Sequence, residues 1–303
     1  MHDLIIIGGG PAALSAAVYA LGKQLNILVV YENLGGKAGA QQYLRGQSGA
    51  GAVPGVEVAR VLEREIAAQP ERALCDRVTS VSTIEAGFQI TTEHHGVYQS
   101  LAVIVATGTT PRMLDMPGAH ELLGQGLGYS ATTHAHLVAG KQVAVIGTTA
   151  RALRGAAELV RTAARVYLIA PDAAGLDTPL AHTLQQRPNL EALAGYQVKA
   201  VNGPFNVKSL VVERGDEHRW LRVDAAFVDL GLIPNSGIVQ QLVRLDPAGF
   251  IRVDERNATT LAGLFAAGDV TTGFGEQVFI AIGDGARAAL SSYDYLLAHM
   301  PES

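Results

Sequence analysis

Gly8-Gly9-Gly10-Pro11-Ala12-Ala13 follows directly on an apolar run, and Glu32 closes the next apolar run, roughly the two dozen residues on that a dinucleotide site requires. In that setting Gly8 permits a tight turn, Gly10 lets backbone approach a pyrophosphate, and small Ala13 lets a helix pack close to the strand. A helix beginning at Pro11 points its free N–H groups at phosphates. Glu32 accepts hydrogen bonds from a ribose with an unmodified 2′-hydroxyl, so FAD and NAD both qualify. An ordinary βα turn that uses glycine only for its backbone freedom is the competing reading. Two further residues stand where they could meet a ligand. Lys37 follows Gly35-Gly36 and is either a cation beside the bound group or a solvated loop lysine. Asp269 follows Gly268 at the end of an apolar run, where α/β sheets place ligands, or else caps the next helix.

The elements that must position these residues follow from the same pattern. Leu4 to Ile7 and Ile27 to Tyr31 are expected as buried parallel strands flanking a helix. A second strand-turn-helix starts at Val143-Ala144-Val145-Ile146-Gly147, continues as a helix from about Ala150 to Ala164, and returns as Val166 to Ile169. The first glycines of the two units, Gly8 and Gly147, lie 139 residues apart, which suits two domains rather than one crossover. Between them Leu101 to Val105 is a strand ending in Ala106-Thr107-Gly108. Near the end, Gly263 to Ala267 is a strand ending in Gly268-Asp269, and a helix runs from about Gln277 to Leu297.

Composition narrows the classes. A chain of 303 residues that is 48% hydrophobic and 17% charged has ample core for two domains. A net charge of −5 and an isoelectric point near 6.0 argue against nucleic-acid binding. The first strand begins almost at residue 1, which leaves no room for a signal peptide, and no apolar run reaches the roughly 18 residues of a membrane span; a cytoplasmic protein is expected. Cys75 is the single cysteine, so the chain cannot form an internal disulfide or run dithiol chemistry alone.

Taken in order, Gly8 to Ala13, Gly35-Gly36, Ala106-Thr107-Gly108, Val143 to Gly147, Leu230-Gly231 with Pro234-Asn235, and Gly263 to Val270 followed by Gln277 resemble the two-domain flavoproteins related to thioredoxin reductase. The resemblance covers almost the whole chain. It implies an α/β fold of two Rossmann-like three-layer dinucleotide-binding domains: an FAD domain from residues 1–112 and 246–303, and a nicotinamide-type domain at 113–245 inserted between them. Arg112 to Pro117 and Asp246 to Gly249 would be the crossing strands. By the same resemblance Gly8, Gly10, Pro11, Ala12 and Ala13 take the FAD pyrophosphate, Glu32 takes the adenosine ribose, and Val78 passes the adenine; Gly36 is counted with the cofactor site, and Lys37, a departure from the family, could place a positive charge close to the flavin and raise its potential. Ala106, Thr107 and Gly108 close the site, Gly268 and Asp269 meet the ribityl or phosphate region, and N–H groups at Gln277 and Val278 favour negative charge at the flavin pyrimidine. The family's glutamine after Gly35-Gly36 is Lys37 here, and Leu44 to Pro54 lacks the family's Glu-Asn-aromatic-Pro-Gly element.

The resemblance also marks losses. Ser130-Ala131-Thr132-Thr133 stands where the family carries Cys-Ala-Thr-Cys, and hydroxyls cannot exchange disulfides. In the second glycine turn, Thr148 and Thr149 replace glycines where backbone must approach a pyrophosphate. Arg154 and Gly155 replace helix acids, and Ala170-Pro171-Asp172 replaces the basic run that grips a 2′-phosphate. NADPH is therefore disfavoured, and NADH is left with weak binding at best. His134 falls at the family's acid after its second cysteine and could move a proton near neutrality; the alternative is an exposed helical histidine. His134 and His136, at i and i+2, are a poor chelate, so no metal site is expected, and His94-His95 read as hairpin surface.

These features lead to an FAD-dependent oxidoreductase without dithiol chemistry, passing electrons to a small acceptor or a protein partner, with Ser130, Thr133 and His134 lining the flavin face. The alternatives are an NADH-dependent flavin reductase or oxidase, a non-turnover flavin redox sensor or assembly protein, and a relic that binds neither nucleotide. The ferredoxin-dependent and ferredoxin–NADP reductases of similar architecture also lack the cysteine pair, but the end at Met300 to Ser303 lacks their C-terminal extension. A homodimer is implied by the family, with neither nucleic acid nor membrane as partner.

Overall fold

The computed structural model describes residues 1–39 and 55–299. The Leu44 to Pro54 segment and Met300 to Ser303 lie outside the described residues. Among the described residues, the chain forms two compact units, one from 1–39, 55–110 and Ile233 onward, the other from Pro111–Leu232.

The first unit is built on a seven-stranded sheet. Its parallel part runs Ala73–Cys75, Ile27–Tyr31, His2–Ile7, Val97–Val105 and Leu264–Ala266, and Val97–Val105 also pairs antiparallel with the hairpin Val78–Ile84/Gly87–Thr92. Alternation in the first strand separates two cores. Leu4 and Ile6 pack with Leu14, Ala16 and Ala17 of the helix Pro11–Gly22 and with Ala288 and Ala289 of the helix Val278–Ala298, whereas Ile5 and Ile7 pack with Val78, Val103 and Val239 on the other face. Small residues let the two helices approach, and Ser15 Oγ donates across them to the Ile282 carbonyl at 2.8 Å.

The second unit carries a five-stranded parallel sheet ordered Leu190–Ala194, Arg165–Ala170, Gln142–Ile146, Ala225–Val228, Leu127–Gly128. A three-stranded antiparallel sheet, Gln197–Asn202, Ser209–Arg214 and Glu217–Arg222, accompanies it. Val143 and Val145 face one core with Leu153, Ala156 and Leu159, and Ala144 and Ile146 face the other.

Two boundaries differ from the sequence reading. The return into the first unit comes at Leu232/Ile233 rather than near Asp246, because Val239 and Val243 are committed to that unit's core beside Val103 and Ile251. The helix expected to reach Ala164 ends at Leu159, where Asn189 Nδ2 donates to the Val160 and Ala163 carbonyls, each at 3.0 Å. No helix among the described residues is long and apolar enough to cross a membrane.

Candidate functional site

In the first unit the glycine turn leaves the strand at Gly8, whose φ of +130° and closeness to the Ala106 carbonyl, 2.3 Å from where a Cβ would stand, exclude any side chain. Gly10 differs: nothing lies within 4 Å of its Cβ position. It caps the helix Pro11–Gly22 with no side-chain hydrogen bond, so the first-turn N–H groups around Ala12 and Ala13 are left for an external acceptor. A bare, glycine-floored helix N-terminus is an anion cradle.

The other predicted residues of this unit gather on the same sheet. Glu32 follows the strand Ile27–Tyr31, next to the cradle, and its carboxylate is exposed with Arg77 Nε 4.0 Å away. Val78 is buried at the start of its strand. Gly36 and Lys37 open the short helix Gly36–Gly39, and Lys37 Nζ donates to Asp269 Oδ2 at 2.7 Å and to Thr109 Oγ1 at 2.8 Å. Lys37 is thus half exposed and ion-paired at its ammonium. The ammonium joins the turn after Gly35-Gly36 to the buried Thr109 and to the carboxylate that follows Gly268. Asp269 makes no cap hydrogen bond to a helix; it sits in the turn Gly268–Val270.

Ala106-Thr107-Gly108 is held in place by Asn235. Thr107 Oγ1 donates to the Asn235 carbonyl at 2.7 Å, Asn235 Nδ2 donates to the Thr107 carbonyl at 2.9 Å, and Asn235 N donates to the Gly108 carbonyl at 3.0 Å. Gln277 caps the helix Val278–Ala298 without a side-chain bond, so a second bare helix N-terminus belongs to this unit. Asp284 on that helix is raised in pKa by burial, against the pull of Arg287. At the sheet edge Asp76 is buried; burial would raise its pKa, but hydrogen bonds from His95, Arg77 and His94 outweigh it and hold the carboxyl far below the usual range. His94 and His95 are thus hairpin surface with a structural bond to Asp76.

The second unit's turn looks alike in sequence position and differs in content. Gly147, at φ +122°, would put a Cβ 2.0 Å from the Asp229 carbonyl, the same backbone demand as at Gly8. Thr149 caps the helix Ala150–Leu159: its Oγ1 accepts from Ala152 N at 3.0 Å and donates to Asp229 Oδ1 at 2.9 Å. Arg151 Nε lies 2.6 Å from Asp229 Oδ2, and the Asp229 side chain is 7% exposed. Thr148 leans on Gly175, whose Cβ position is 1.9 Å from Thr148 Oγ1. Asp172, where a ribose would be read, accepts from Ala174 N at 3.0 Å and caps its own turn. In this turn Thr149, Asp229 and Arg151 are bonded to one another at the start of the helix, where the first unit's turn leaves its helix N-terminus uncapped.

Ser130 and His134 also belong to the second unit. Ser130 Oγ lies 3.3 Å from Thr132 Oγ1, and the Thr133 side chain is outside the described residues. His134 is 4% exposed, which corrects the reading of it as a surface histidine: its ring stacks on Phe227 at 6.2 Å and its Nδ1 meets the Ser130 carbonyl at 2.9 Å. No group of three or more metal-ligating side chains occurs among the described residues. Sequence reading missed Asp229, Arg151, Thr109 and Arg77, whose partners are remote in the chain, and it named Asn235 without its clamping role.

Comparison with known proteins adds a family. The model of the pyridine nucleotide-disulphide oxidoreductases matches residues 2–285. The chain is 30% identical to the alkyl hydroperoxide reductase F of Staphylococcus epidermidis over 304 residues, covering 98% of this chain and 59% of that protein. It therefore spans little more than half the length of that relative. Among solved structures, thioredoxin reductase of Streptococcus pyogenes matches with a TM-score of 0.85 at 24% identity, covering 98% of this chain and 99% of that one. That of T. acidophilum matches at 0.63 and 29%, covering 97% and 98%.

Proposed function

The chain belongs to the pyridine nucleotide-disulphide oxidoreductase family, and we propose that it is an FAD-dependent oxidoreductase that exchanges electrons with an external partner, without dithiol chemistry and without productive nicotinamide binding. The family implies FAD and a nicotinamide cofactor, and the two turns of this chain suit them unequally. The observation that carries the reading is that contrast: an open, uncapped helix N-terminus after Gly10 and a filled, capped one after Thr149.

FAD, when bound, supplies reversible two-electron redox chemistry. The chain's part is to bind and orient it. N–H groups after Gly10 receive the pyrophosphate, Glu32 accepts from the ribose, and the Asn235-clamped Ala106 to Gly108 segment gives a fixed wall. Lys37 offsets the negative charge of Asp269, so a diphosphate meets a smaller net repulsion than an unpaired carboxylate would create. The Gln277 N–H donates to the Gly275 carbonyl at 3.1 Å, so of the two it is Val278, at the uncapped start of the last helix, whose N–H would favour negative charge on a bound flavin.

The single cysteine, Cys75, leaves no Cys-x-x-Cys pair, so the disulfide exchange implied by the name thioredoxin reductase has no second sulfur in this chain to run through. A redox protein or a small oxidant is the acceptor of this reading, and a homodimer is its assembly. A non-turnover flavin sensor is the second reading, favoured by the same closed second turn. An anaerobic visible spectrum of the purified protein tests both. A yellow flavin left oxidised by NADH and NADPH but bleached by dithionite supports the proposal, and subsequent reoxidation by added acceptors separates enzyme from sensor. Bleaching by stoichiometric NADH refutes it in favour of a flavin reductase or oxidase.

A further inference from the structure

We propose that Asp229 is a built-in anion of the second unit: its carboxylate takes the place of a dinucleotide's phosphates at the helix Ala150–Leu159 and so excludes such ligands. The inference rests on the reading that the second turn binds no nicotinamide productively, and it names the residues that enforce this. Four observations bring them together. The Gly147 turn presses the chain against the Asp229 carbonyl, which fixes Asp229 beside the turn. Thr149 Oγ1 accepts from the helix at Ala152 N and donates to Asp229 Oδ1, so its hydroxyl is used on both sides. Arg151, in the first helical turn, holds the other carboxylate oxygen through Nε at 2.6 Å. Thr148 against Gly175 fills the adjoining space.

The arrangement has the charges of a phosphate site with the ligand supplied internally. A helix N-terminus and an arginine both favour an anion, and here the anion is Asp229, close to fully buried. A diphosphate arriving from solvent would have to displace a tethered carboxylate that is already desolvated and doubly hydrogen-bonded, and would meet its repulsion. A tethered group also competes at high effective concentration, which a free ligand cannot match. The Thr148 and Thr149 substitutions are then parts of one device, since Thr149 supplies the hydrogen bond that orients the carboxylate.

The test is equilibrium binding of NADH and of ADP to the FAD-saturated full chain, in which the first unit's cradle is filled, wild type and Asp229→Asn, with thermal melts to confirm folding. The substituted amide would keep the volume and an acceptor for Thr149 and remove the charge, so that Arg151 could turn to a phosphate. The expected result is no wild-type binding in the millimolar range and at least a ten-fold gain for D229N with both probes. An R151M/D229N double variant, uncharged at both positions, should lose most of that gain while staying folded. It also carries the test if D229N does not fold, because the loss of Asp229 repulsion should still raise ADP affinity above wild type. Unchanged affinity in the folded variants overturns the inference while the proposed function stands. Tight NADH binding by the wild type overturns the proposed function itself.

Discussion

The two glycine turns of this molecule answer the same backbone problem and part ways at the third residue. Gly8 and Gly147 share a left-handed φ and a carbonyl lodged where a Cβ would be, that of Ala106 in one unit and of Asp229 in the other. Retention of the first glycine therefore reports on how strand and helix pack, not on whether a ligand binds. Two residues on, Gly10 has open space and an uncapped helix, while Thr149 caps its helix and holds a buried carboxylate. The two turns differ in the occupancy of the helix N-terminus, uncapped after Gly10 and capped by Thr149, and a fingerprint that counts glycines is blind to that difference.

The comparison breaks most visibly if the open position is filled. Gly10 has an extended backbone, so Gly10→Val should leave the melting temperature of the flavin-free protein within a degree or two while FAD affinity falls by more than about 100-fold. An equal loss of stability would mean that Gly10, like Gly8, is retained for packing. Next in size, Lys37→Met should lower FAD affinity about five- to ten-fold, roughly 1 kcal/mol for a charge-assisted bond from a half-exposed lysine, and flatten its fall with salt, because salt screens the repulsion of the unpaired Asp269. Tighter binding in K37M, measured by flavin fluorescence, would show that the ammonium only obstructs the site.

On the closed side, Thr149→Ala should cost about 1 kcal/mol of stability through the lost cap without conferring nucleotide binding, because Asp229 and Arg151 remain. The smallest effect concerns pH. Asp76 is more acidic in the folded chain than when unfolded, so its contribution is present above the ordinary carboxylate range, near pH 4, and is lost as pH falls through the lower folded value. In Asp76→Asn, acid unfolding followed by circular dichroism should lose that pH-dependent part, with FAD binding at neutral pH unchanged.

Much of this was readable from residue order. Alternation in Leu4 to Ile7 and Val143 to Ile146 marked two-sided buried strands, and the acid at Glu32 lay where the strand ends. The substitutions at Thr148 and Thr149 announced trouble in the second turn. Sequence could not say what fills it, because the decisive partner of Thr149 is 80 residues away on another strand. Lys37 and Asp269 lie 232 residues apart, so their ion pair follows from the sheet order rather than from any local pattern. His134 misled for a related reason: in a four-residue helix, exposure is set by Phe227 of the neighbouring strand and not by periodicity along the helix. The return crossing was placed too late because Asp246-Pro247-Ala248-Gly249 is a conspicuous turn, whereas Val239 and Val243 enter the first unit's core with no local signal.

Calorimetric titration of one flavin-free preparation with FAD and then with NADH tests the central contrast most directly. Saturable FAD binding at one per chain and no NADH binding into the millimolar range are expected. Binding of NADH with an affinity comparable to that of FAD, or failure to bind FAD at all, would contradict it.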